Sequence, residues 1–130
     1  MRLHKFALPI IGAISLLAAH GMAVAEGNAS KATRAMAEIM INLHHYPSDA
    51  DKNTLSTLAA SETASADEKV IAQTLLNLKH KAADTDKPKL EALSKDTAAS
   101  AAVKSMAKIL LQLNHQPTDA NITELKAIAQ

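Results

Sequence analysis

The sequence predicts an all-α fold: three tandem 35-residue helical hairpins, about six helices, packed as a short solenoid or bundle. Three observations predict it. The chain repeats over 30–64, 65–99 and 100–130, the last copy cut short. Apolar residues recur at helical spacing in each copy. Strand-type alternation is absent, and the last glycine in the chain is Gly27.

The repeat is written in six columns that are identical in all copies: Ser30/Ser65/Ser100, Ala37/Ala72/Ala107, Leu43/Leu78/Leu113, His45/His80/His115, Asp49/Asp84/Asp119 and Leu55/Leu90/Leu125. A fixed period of this length is the mark of a supersecondary unit that buries its apolar face against its own copies. It is close in length to the tetratricopeptide hairpin, but the Trp and Gly positions of that signature have no counterpart.

The first helix of each unit carries its stripe at i, i+3, i+4 and i+7: Met36, Ile39, Met40, Leu43, and again Met106, Ile109, Leu110, Leu113. The second copy keeps Ile71, Leu75 and Leu78, with Thr74 as its one lapse. Ser30, Ser65 and Ser100 are N-caps, and Ser65 with Glu68 makes a capping box. The invariant Ala37/Ala72/Ala107 puts a methyl on the inner stripe, which lets helix axes approach closely.

The connection follows as HYPSDAD, HKAADTD and HQPTDAN. Pro47 and Pro117 stop the first helix, and Ser48, Asp49 or Asp51 caps the second. Pro88 is tolerated only in a first turn, so the second helix of that copy should start near Asp86. These second helices have narrower stripes: Leu55 with Leu58, Leu90 with Leu93, Leu125 with Ile128.

Ahead of the repeats, residues 1–25 read as a secretory signal peptide. Arg2 and Lys5 precede an apolar run from Phe6 to Ala19, and Ala23-Val24-Ala25 offers a small-x-small cleavage site before Glu26. The run is shorter than the roughly 20 residues that span a bilayer. The expected location is therefore periplasmic or secreted, with membrane contact only through the signal peptide before cleavage. The domain that remains, 26–130, has 12 Lys and Arg against 13 Asp and Glu. That balance excludes a polycationic nucleic-acid binder. Tyr46 is its one aromatic, so no stacking platform for single-stranded nucleic acid exists either.

The chemistry available is restricted. No cysteine is present in the chain, which excludes disulfides, thiolate metal sites and a Cys nucleophile. A Gly-x-Ser-x-Gly elbow and a phosphate loop are both missing. Catalytic residues and cofactors are not expected, and the paired carboxylates Asp49/Asp51 and Asp84/Asp86 are read as helix caps.

The column of interest is the invariant His with an Asp four residues on. One reading is a structural clasp of His45–Asp49, His80–Asp84 and His115–Asp119, with an imidazole at one helix C-terminus and a carboxylate at the next N-terminus. The other reading is a metal site made from those same six residues. Zn–N bonds are about 2.0–2.1 Å, whereas equivalent points on a linear stack are about 8–10 Å apart. Only a closed, pseudo-three-fold arrangement or a site shared between molecules would bring three His to one ion. Met36, Met40 and His44 also share one helix face, but their aligned residues Ile71, Leu75, Lys79 and Met106, Leu110, Asn114 mark the Met columns as core.

The function expected from sequence is a secreted, non-enzymatic helical-repeat protein serving as an interaction or structural module. Its partner would be another protein or a second copy, because a linear stack ending inside its third unit leaves an uncapped end. The alternative is a periplasmic metal-binding protein using the His/Asp column.

Overall fold

The computed structural model describes residues 29–130, and the signal segment with its cleavage site lies outside them. Within the described residues the chain forms six helices: α1 (Lys31–Ile41), α2 (Asp49–Ala60), α3 (Ala66–Asn77), α4 (Lys87–Lys95), α5 (Ala101–Gln112) and α6 (Asp119–Ala129). None of them is long and apolar enough to cross a membrane. Helices α1, α3 and α5 begin 35 residues apart, as the sequence period requires.

Local chemistry sets the helix starts. Ser30, Ser65 and Ser100 each accept a hydrogen bond from the backbone N–H three residues on, at 3.0, 3.1 and 3.2 Å. These bonds satisfy donors that an α-helix leaves unpaired. Capping boxes close on α2, from Ser48 and Asp51, and on α3, from Ser65 and Glu68. Thr118 caps α6. Asp86 precedes α4 without a side-chain cap, and Pro88 occupies its first turn.

Packing decides the arrangement. Helices α1, α3 and α5 touch one another pairwise around a common axis. Met36, Ile71, Met106, Met40, Leu75, Leu110 and all three invariant alanines are fully buried. The outer helices anchor through Leu55, Leu90 and Leu125, each also fully buried. Burying a Leu or Met side chain contributes about 1.5–3 kcal/mol, so these equivalent residues form one shared core.

The tightest pairs cross the unit boundary. Helix α2 lies on α3, α4 on α5, and α6 returns to α1. Each outer helix therefore packs on the first helix of the next copy, and the last packs on the first. The result is a closed bundle with pseudo-three-fold symmetry. The uncapped end of a linear stack, from which an interaction partner was expected, does not arise because α6 covers α1. Arg34 Nη1 donates to the Gln130 carbonyl at 3.4 Å, linking α1 to the residue that follows α6.

Candidate functional site

The three loops that follow α1, α3 and α5 meet on the axis at one pole of the bundle. The inner helices end at Ile41, Asn77 and Gln112. The invariant histidines therefore stand beyond them, not at their last turns as expected, and Pro47 and Pro117 come later still. Pro47 is buried under the pole.

Each His is the centre of a tight turn. Tyr46 N–H donates to the His44 carbonyl at 2.7 Å, Lys81 to Lys79 at 2.7 Å, and Gln116 to Asn114 at 2.9 Å. The central residues have φ of 65° at His45, 65° at His80 and 69° at His115. A three-residue turn with positive φ at its centre is the rare, strained kind of γ-turn. A residue with a Cβ is disfavoured there, by about 1–3 kcal/mol.

The backbone repays part of that strain. His45 N–H donates to the His115 carbonyl at 2.8 Å, His80 to His45 at 2.8 Å, and His115 to His80 at 2.6 Å. The three bonds form a closed triangle that locks the loops together about the axis. It uses only main-chain atoms, so any residue tolerating positive φ could build it.

The side chains converge above the triangle. Ring centroids are 5.1 Å apart for His45–His80, 5.0 Å for His45–His115 and 4.9 Å for His80–His115, all edge-on. One ring nitrogen from each lies within 4.8 Å of the others, and Nδ1 of His80 is 3.1 Å from Nδ1 of His115. All three residues are exposed. Ligand atoms on one tetrahedral zinc ion stand about 3.3–3.4 Å apart, given its bond lengths. The His80–His115 pair stands just inside that spacing, and the nitrogen of His45 lies within 4.8 Å of both.

The Asp column does not join them. Asp49 pairs with Lys52 at 3.5 Å, and Asp84 with Lys87 at 2.6 Å. Asp119 opens α6, where its carbonyl accepts from Thr123 at 3.0 Å. Among the described residues no His–Asp hydrogen bond forms, so the expected clasp is replaced by a His–His–His cluster and separate i,i+3 ion pairs. The physical reason is the turn: positive φ swings each imidazole toward the axis and away from the following helix. The Lys87 ammonium holds the Asp84 carboxyl below its usual range, with Lys81 adding to the effect. Met36 and Met40 are fully buried and His44 is exposed, so that trio is split between core and rim.

The opposite pole holds a group the sequence reading saw only as a cap. Glu68 is 8% exposed and lies where the N-termini of α1 and α3 approach. Its carboxylate accepts from Ser30 Oγ, from Thr33 Oγ1 at 2.8 Å and from the Ser65 N–H at 2.7 Å. Burial raises its pKa, but the hydrogen bonds from Ser30, Ser65 and Thr33 outweigh burial and hold it below the ordinary 4.5. The available signal was chemical: the aligned residues Thr33, Glu68 and Val103 place one carboxylate in an otherwise neutral column.

Comparison of the chain with protein-family models, curated proteins and solved structures finds no match.

Proposed function

We propose that this protein binds a first-row divalent metal ion, foremost Zn²⁺, through His45, His80 and His115, in the exported compartment that the N-terminal segment suggests. The observation supporting this reading is that three exposed imidazoles converge within 4.8 Å on residues whose backbone φ is positive. The backbone triangle accounts for the turns but not for the choice of residue. Glycine would build the same triangle without strain. Strain kept at three equivalent positions, always with the same metal-ligating side chain, favours a role for the rings themselves. Three imidazoles on a three-fold axis suit tetrahedral zinc better than the tetragonal geometry of Cu²⁺.

Among the described residues no carboxylate orients these rings from behind, a feature that strengthens resident metal sites. The site therefore suits an ion that is taken up and released, as in buffering or delivery. Calorimetric titration with Zn²⁺ tests the proposal: one ion per chain, with the heat lost when all three His are changed to Gly. Saturating zinc at 100 times its Kd adds about 2.7 kcal/mol, which raises Tm by several degrees for a domain of this size. No heat and no Tm rise with Zn²⁺, Cu²⁺, Ni²⁺ or Co²⁺ would overturn it.

A further inference from the structure

We infer that the zinc-loaded His45–His80–His115 centre hydrolyses small activated carboxylic esters, and that the groove beside it favours esters carrying a second, anionic group. This inference rests on the metal-binding reading and adds an activity and a substrate class to it.

Three imidazoles are neutral donors, so the ion keeps its full positive charge. All three residues are exposed, so an ion held by them would keep a side toward solvent. Zinc held by three protein ligands lowers the pKa of its bound water to about 7, supplying hydroxide at neutral pH. Among the described residues no Asp or Glu stands with the three His to complete the coordination or reduce the charge.

The groove lies directly alongside. It is an open groove of about 420 Å³ lined by His80 with Tyr46, Lys52, Leu76, Leu78 and Lys79. That volume matches a small organic ligand. Tyr46 is the one large hydrophobic residue left exposed among the described residues, at 59%. Lys52 is engaged, 3.5 Å from Asp49 and 5.5 Å from the Tyr46 ring centroid. Lys79 forms no ion pair with any described carboxylate, which leaves its charge for an anion.

In the reaction, zinc-bound hydroxide adds to the acyl carbon. The bond to the leaving oxygen then breaks, and that oxygen departs with the electron pair as a phenolate. The carboxylic acid produced gives its proton to solvent. A new water enters the open position and releases a second proton, which restores the hydroxide.

The test uses the purified protein with one equivalent of Zn²⁺, after calorimetry has established whether zinc binds. The probes are 4-nitrophenyl acetate and mono(4-nitrophenyl) succinate. Expected is a second-order rate at least tenfold above both metal-free protein and equal free zinc, rising with pH through one titration near 7. The triple His→Gly variant, checked for folding by its melt, should fall to the free-zinc rate. Lys79→Ala should reduce the preference for the succinate ester over the acetate several-fold. Zinc bound at the three His with a rate equal to free zinc would overturn the activity while leaving the binding proposal intact. Absence of zinc binding would overturn both. An unchanged succinate-to-acetate preference in Lys79→Ala would overturn the anion-selecting groove.

Discussion

His80 and His115 are joined twice: the His115 N–H donates to the His80 carbonyl at 2.6 Å, and their Nδ1 atoms stand 3.1 Å apart. These residues are 35 positions apart in the chain, and their neighbours in the triangle repeat the backbone bond around the axis. One loop geometry, used three times, both closes the bundle and gathers the imidazoles. The two roles separate by substitution.

Changing any one of the three His to Gly should leave the metal-free fold as stable as before, or stabilise it by up to about 1 kcal/mol. Glycine relieves the positive-φ strain but adds freedom to the unfolded chain, and the two effects are comparable. His→Val at the same position should destabilise by about 1–3 kcal/mol, because a β-branched residue resists positive φ. Urea unfolding of the two variants beside wild type checks this; a His→Gly variant weaker than wild type by more than about 1 kcal/mol would show that the rings hold the fold together.

Glu68 should make stability depend on acid. Its folded pKa is lowered, so its contribution is fully present above the unfolded value near 4.5 and is lost as pH falls through the folded value. Glu68→Gln should cost about 1–3 kcal/mol at pH 7, since hydrogen bonds to a charged group are at stake. The gap from wild type should narrow steadily below pH 4.5. Melts from pH 7 to pH 3 measure it, and a gap independent of pH would refute the charged role.

Thr74 is a stability defect inside the core. Its hydroxyl is buried without a partner, at a position where the other copies place Ile39 and Ile109. Burying an unpaired hydroxyl costs about 1–3 kcal/mol. Thr74→Val keeps the shape and removes that group, so it should stabilise by about 1 kcal/mol. A lower urea midpoint for Thr74→Val would contradict this.

The closed ring should tolerate new ends. Four residues, Ser61–Ala64, link α2 to Ser65, and the same four-residue gap separates Gln130 from a repeat of Ser30. A permutant joined from Gln130 to Ser30 by a copy of that linker, and opened within 61–64, should fold with the wild-type helical content. Glu62 and Thr63 are the exposed pair in that linker, and a break between them is of the kind that accepts permutation. A permutant that populates only oligomers would show that the ring does not close within one chain.

What sequence alone determined was everything with a local cause. The helices, their Ser caps and the Pro88 start near Asp86 follow from side-chain chemistry within four residues. The core columns follow from a 3.6-residue period seen three times. The legible part of the site was its membership: His45, His80 and His115 were singled out as a column. Their relation was decided by tertiary structure. Whether the copies form an open stack or a closed ring depends on whether α6 finds α1, a contact spanning nearly the whole described chain and invisible to any local pattern. The positive φ at the three His was equally hidden, because no glycine announces it. Only when the ring closes do three such turns share their N–H and carbonyl groups, and that cooperation, absent from any single copy, aims the imidazoles at one point.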